Sequence, residues 1–78
     1  MSRKRPLAAD LPVGTILRED IARRMPPIHV RGHVDDVLIV RRWTRKWGGC
    51  WVYDTILDYL LDEHPQFYRI ERLPRIAR

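Results

Sequence analysis

Apolar positions recur at changing intervals along this chain, and each interval predicts a different element. Leu17, Ile21 and Met25 stand four apart, with Thr15 as an N-cap and Pro26-Pro27 as a stop, which predicts a helix from Ile16 to Met25. A short strand from Val13 to Arg18 is the competing reading of the same residues. From Ile28 the period drops to two: Ile28, Val30 and Gly32 fall on one side, and His29, Arg31 and His33 on the other, as in a half-buried strand with solvent-facing histidines. Val34-Asp35-Asp36 supplies a polar turn. Val37-Leu38-Ile39-Val40 then opens a strand rich in β-branched residues that runs to Trp43 or beyond. Gly48-Gly49 is the strongest turn signal in the chain. A two-residue loop there sets Trp47 against Cys50 and Lys46 against Trp51, and a longer loop over residues 45–49 is the alternative.

Further on, Ile56, Leu57, Leu60 and Leu61 make one apolar face, and Asp58, Asp62 and Glu63 the opposite one. With Asp54 or Thr55 as cap and Pro65 as terminator, they predict a helix through His64. Phe67 to Leu73 alternates again and returns as a last strand. The expected fold class is therefore α+β: a small twisted antiparallel sheet of three or four strands carrying one C-terminal-half helix and an N-terminal helix. A partly open SH3-like barrel is the nearest architecture. Residues 1–10 read as a flexible basic arm, 11–74 as a single compact domain and 75–78 as a frayed basic tail.

Composition narrows the function class. A 78-residue domain buries only about 60% of the surface its unfolded chain exposes, so its core is small. The formal charge of +5 and the pI near 10.1 favour polyanions or an acidic protein surface as partners. Arginine carries most of that excess, and its planar fork suits phosphate and aromatic rings better than lysine does. One cysteine rules out an internal disulfide framework and makes a reducing cytoplasm the expected setting. The basic N-terminus has no apolar stretch behind it, and the apolar run from Val37 to Val40 is far too short to cross a bilayer, so no membrane role is expected.

The chemistry concentrates in residues 41–51. Arg41, Arg42, Arg45 and Lys46 share one hairpin there with Trp43, Trp47 and Trp51, the three tryptophans of the chain. Single-stranded nucleic acid is held by this mixture: bases stack on aromatic faces while cations neutralise phosphates. The expected contacts are Arg41, Arg42, Arg45 and Lys46 on phosphates, with Trp47 or Trp51 stacking. In the Gly-Gly register Trp43 and Trp47 share a face with Val37 and Ile39, whereas Trp51 joins Lys46 and Tyr53 opposite, so at least one tryptophan is expected to fill the core.

Other chemistries find less support. Arg18 to Met25 has the look of one helix of a helix-turn-helix unit, but the extended Ile28 to Gly32 stands where the recognition helix belongs. His29 and His33 lie two pleats apart on a strand, and no pair with metal-ligand spacing exists, so no metal or other cofactor is expected. Cys50 has only His64 downstream and the chain lacks asparagine, so the Gly-Gly-Cys-Trp run is no catalytic dyad. The expectation is a small non-enzymatic nucleic-acid-binding or regulatory protein. The alternative is a protein-interaction module, such as a phage or mobile-element inhibitor or accessory protein bound to an acidic or nucleic-acid-handling partner. The carboxylates of Asp54, Asp58, Asp62 and Glu63 make the surface two-sided, which suits docking on a protein as much as coating nucleic acid.

Overall fold

The computed structural model describes residues 6–19 and 25–74. Residues 1–5 of the basic arm, 20–24 of the expected first helix and 75–78 of the tail lie outside them. Five strands form one antiparallel sheet: β1 Ile16–Glu19, β2 Ile28–Val34, β3 Val37–Thr44, β4 Cys50–Leu57 and β5 Tyr68–Arg72. A short helix, α1 Asp58–Asp62, joins β4 to β5, and Ala8–Asp10 makes a 3-10 turn. The strand order is β4-β3-β2-β1-β5, a meander whose last strand returns to the first. The sheet is open, because among the described residues no ladder joins β4 to β5, and it forms no closed barrel.

Two helices predicted from spacing are corrected. Ile16 to Glu19 is a strand, since Thr15 and Leu17 are fully buried while Ile16, Arg18 and Glu19 are only partly so, a period of two in place of four. Tertiary pairing decides this: β1 lies between β2 and β5, and a helix there would leave β5 without a partner and β2 with one edge unpaired. The second helix is displaced. β4 pairs with β3 rung by rung from Thr44↔Cys50 to Val37↔Leu57, so Asp54 and Thr55 are strand residues. Leu57 is the N-cap of α1 and makes no side-chain cap bond. The apolar set Ile56, Leu60 and Leu61 still points inward, the first from a strand and the other two from a helix, which is why its spacing looked helical.

The core comprises Ala8, Leu11, Leu17, Ile28, Val30, Leu38, Val40, Ile56 and Leu61, with Leu60, Tyr68 and Ile70 packed against it. No tryptophan belongs to it, which overturns the expected core tryptophan. Ala8 and Asp10, read from sequence as part of the arm, are ordered in the 3-10 turn, and Asp62 holds that turn by accepting the Ala8 N–H at 2.8 Å. Asp58 likewise bonds His33 Nε2 at 2.7 Å. Arg18 ties β1 to β5 through Glu71, and this hydrogen bond holds the exposed Glu71 carboxyl below its ordinary range. Arg18 also donates to the Met25 carbonyl at 2.6 Å, fixing the start of the segment that leads into β2.

Candidate functional site

The register of β2, β3 and β4 sorts the hairpin chemistry onto two faces. Residues directly opposite in an antiparallel pair point the same way. Leu38↔Ile56, Val40↔Asp54, Arg42↔Val52 and Thr44↔Cys50 lie on the core side, and Ile39↔Thr55, Arg41↔Tyr53 and Trp43↔Trp51 on the outer side. The loop is the longer of the two sequence alternatives, residues 45–49, with Gly48 N–H donating to the Arg45 carbonyl at 3.1 Å. Trp43 and Trp51 are therefore partners on one outer face, not divided between core and surface.

β2 brings further residues to that face. The Asp35-Asp36 turn sets Val34 against Val37 and His33 against Leu38, but the register shifts by one between Val30 and Gly32, so that His29 faces Arg41. Arg31 is the extra residue of this bulge. The shift also moves His33 to the core side, where it reaches the half-buried Asp58, so His33 is not the solvent-facing residue its alternation predicted.

The outer face thus holds His29, Arg31, Arg41, Trp43, Trp51 and Tyr53. Trp51 is edge-to-face with both Trp43 and His29, at centroid separations of 5.8 and 5.4 Å. The Arg41 guanidinium lies 5.7 Å from the Tyr53 ring centroid. An open cleft of about 350 Å³ is lined by His29, Arg31, Arg41 and Trp51. None of the outward positions of β2, β3 or β4 carries a carboxylate. Among the described residues Arg31 and Arg41 have no acidic partner, whereas Arg18 and Arg42 do.

The six residues expected from sequence are separated by this geometry. Arg41 and Trp51 stand on the outer face. Arg45, Lys46 and Trp47 occupy the exposed loop, Trp47 at 73% exposure, and border a second, larger cleft that Arg42, Trp43, Tyr53 and Asp54 also line, beside Met25 and Pro26. Arg42 points to the core side, pairs with Glu19 and lies 3.9 Å from Asp54, so its charge is already matched within the fold. Its charge also acts on Tyr68, whose phenol is pushed above its ordinary range mainly by burial and secondarily by Glu19, with Arg42 opposing the rise. His29, Arg31, Trp43 and Tyr53 complete the face and were not among the expected contacts. The alternation of His29 and Arg31 was the available signal for two of them.

The glycine pair shapes the site as well as the turn. Gly48 and Gly49 have φ of +80° and +93°, a region that costs other residues about 1–2 kcal/mol. A Cβ on Gly49 would stand 2.9 Å from Cζ2 of Trp43, while one on Gly48 would meet nothing. Gly49→Ala is therefore expected to lower stability more than Gly48→Ala and, unlike it, to shift the tryptophan emission. Equal losses and equal spectra in the two variants would refute the contact between Trp43 and Gly49.

Comparison with family models, curated proteins and solved structures finds no match to this chain. No helix among the described residues is long and apolar enough to cross a membrane.

Proposed function

We propose that this chain is a small non-enzymatic protein that binds single-stranded nucleic acid on the outer face of β2, β3 and β4, acting in the cytoplasm as a regulatory or accessory factor. The observation that carries the reading is the convergence of two arginines without carboxylate partners, Arg31 and Arg41, on the cleft beside Trp51, with Tyr53 adjacent on the same face. Arg42 borders the loop cleft, but its charge is matched by Glu19, so it adds no free cation to the interface. Arg45, Lys46 and Trp47 extend it at the loop, where they reach the backbone of a bound strand. The meander with β5 returned to β1 fits a partly open SH3-like architecture, whose hairpin face stays clear of the core.

Stacking on exposed aromatics contributes about 1–3 kcal/mol per base and tolerates any sequence. A mixed-sequence single-stranded oligonucleotide titrated into the protein should quench tryptophan emission. The logarithm of affinity should fall against the logarithm of salt with a slope of about −0.7 per phosphate contacted. Double-stranded DNA of equal length should bind more weakly, because its bases are not free to stack. No emission change at low salt, or a preference for the duplex, would sink the proposal.

One observation favours the second reading, a docking module for another protein. Val34, Val37 and Leu57 lie side by side across β2, β3 and β4 on the same outer face, and Val34 and Leu57 are exposed. A partner held there would stay bound after nuclease treatment and be released by Leu57→Lys, not by substitution of Arg31.

A further inference from the structure

The two edges of the sheet differ in how they are protected. β5 is five residues long and carries Arg69, Glu71 and Arg72, and Arg18 of β1 is paired to Glu71 across it. Short length and charge are what keep an edge from recruiting another strand. β4 lacks both devices. It is eight residues long, Cys50-Trp51-Val52-Tyr53-Asp54-Thr55-Ile56-Leu57, contains no proline, glycine, lysine or arginine, and has Asp54 as its one charge. It pairs only with β3, so the other side of its backbone presents N–H and C=O groups that no described strand meets; of these the Thr55 N–H is held by Asp54 Oδ1 at 2.8 Å, a bond that an incoming strand would have to displace. Such a row is complementary to an extended backbone.

We propose that β4 pairs with β4 of a second copy of this chain, antiparallel about a two-fold axis at Tyr53, so that one sheet continues through a dimer. The inference does not depend on what the outer face binds. A two-fold contact requires a strand compatible with itself, and this composition selects the register. Pairing that keeps outer residues opposite outer residues must place a residue opposite its own copy or its near neighbours in steps of two. Centring on Asp54 would set two carboxylates directly against each other, which is unfavourable. Centring on Val52 shortens the overlap, pairing Cys50 with Asp54. Centring on Tyr53 sets the two tyrosines side by side, places Trp51 against Thr55 and Cys50 against Ile56, and leaves Asp54 facing Val52. The two aromatic and cationic faces then adjoin across the axis, and each copy contributes Tyr53 to a shared surface twice as long.

The register makes a position-specific test possible. Directly opposed residues have Cα atoms about 4.5–5.5 Å apart, within the span a disulfide needs. Cys50 and its copy would be six residues out of step, about 20 Å apart along the strand, and cannot bridge. In the full chain, light scattering at about 100 μM should give a mass twice the monomer's 9.4 kDa. On mild oxidation, Tyr53→Cys in a Cys50→Ser background should convert to a covalent dimer, while the natural Cys50 and Thr55→Cys in the same background should not. Tyr53 is 65% exposed, so the monomer tolerates these changes. Tyr53→Lys, which opposes two cations across the axis, should return the protein to the monomer mass with its circular dichroism unchanged. A monomeric wild-type chain, a dimer that persists in Tyr53→Lys, or cross-linking through Cys50 in place of position 53 would each overturn the proposal.

Discussion

Replacing Arg31 and Arg41 together with alanine will weaken binding of a single-stranded oligonucleotide by about 100-fold at low salt, taking roughly 1.5 kcal/mol for each charge-assisted phosphate contact. It will also flatten the salt dependence by about 1.4 in logarithmic slope, the share of two phosphates on a single strand. Stability should change by no more than about 1 kcal/mol, since exposed side chains outside packed features seldom matter more. Both arginines are exposed, and the Arg41 guanidinium rests over the exposed Tyr53 ring. Trp51→Ala is the informative companion. Loss of a stacking platform costs about 1–3 kcal/mol but removes no charge, so affinity falls while the salt slope stays as it was. If the double arginine variant binds as tightly as the wild type with an unchanged slope, the outer face is not the phosphate-binding surface.

The contrast between these residues and their neighbours explains what the chain's pattern could and could not disclose. The antiparallel sheet was legible because period-two alternation in β2, β3 and β5 needs only local sequence. The polar turn at Asp35-Asp36 was legible too, with Asp35 at φ +53°, a conformation aspartate tolerates better than most residues. The position of the basic hairpin followed from composition alone. Two features depended on pairing across the sheet and were not legible. The first is the bulge at Arg31: a two-residue turn without it would align His29 with Arg42, and the actual shift aligns it with Arg41 and builds the cleft. The second is the loop. Two glycines in succession suggest a two-residue turn, but here both take positive φ at the end of a five-residue loop because Trp43 lies against Gly49 and sets the strand ends at Thr44 and Cys50. Helix spacing failed for a related reason. Leu17 meets Ile28 and Ile70 across rungs of the sheet, contacts that no periodicity within residues 16–25 can report.

The adjacent Arg42 should behave in the opposite way. Arg42→Ala will lower the stability of the domain by about 2 kcal/mol, less than the 3–5 kcal/mol typical of breaking a fully buried pair because the site retains some water. Its side chain is 23% exposed and that of its partner Glu19 13%, so removing the cation leaves a nearly buried carboxylate with its desolvation unopposed. For a chain of this size total stability is about 4–12 kcal/mol, so the loss is a large fraction and will appear as a lower urea midpoint. Replacing both members, Glu19→Leu with Arg42→Met, should recover most of it, since neither charge is then stranded. Tyr68 reports the same change independently. Arg42 lowers the Tyr68 pKa while burial and Glu19 raise it, so in Arg42→Ala ultraviolet titration should find the phenol ionising at still higher pH. The sign follows for stability: a phenol raised in the folded state contributes fully below the ordinary tyrosine range, and that contribution is lost as pH climbs through the raised value. Below its melting range the Arg42→Ala protein should bind the oligonucleotide with wild-type affinity and salt slope. Reduced binding with unchanged stability would invert the assignment and return Arg42 to the interface.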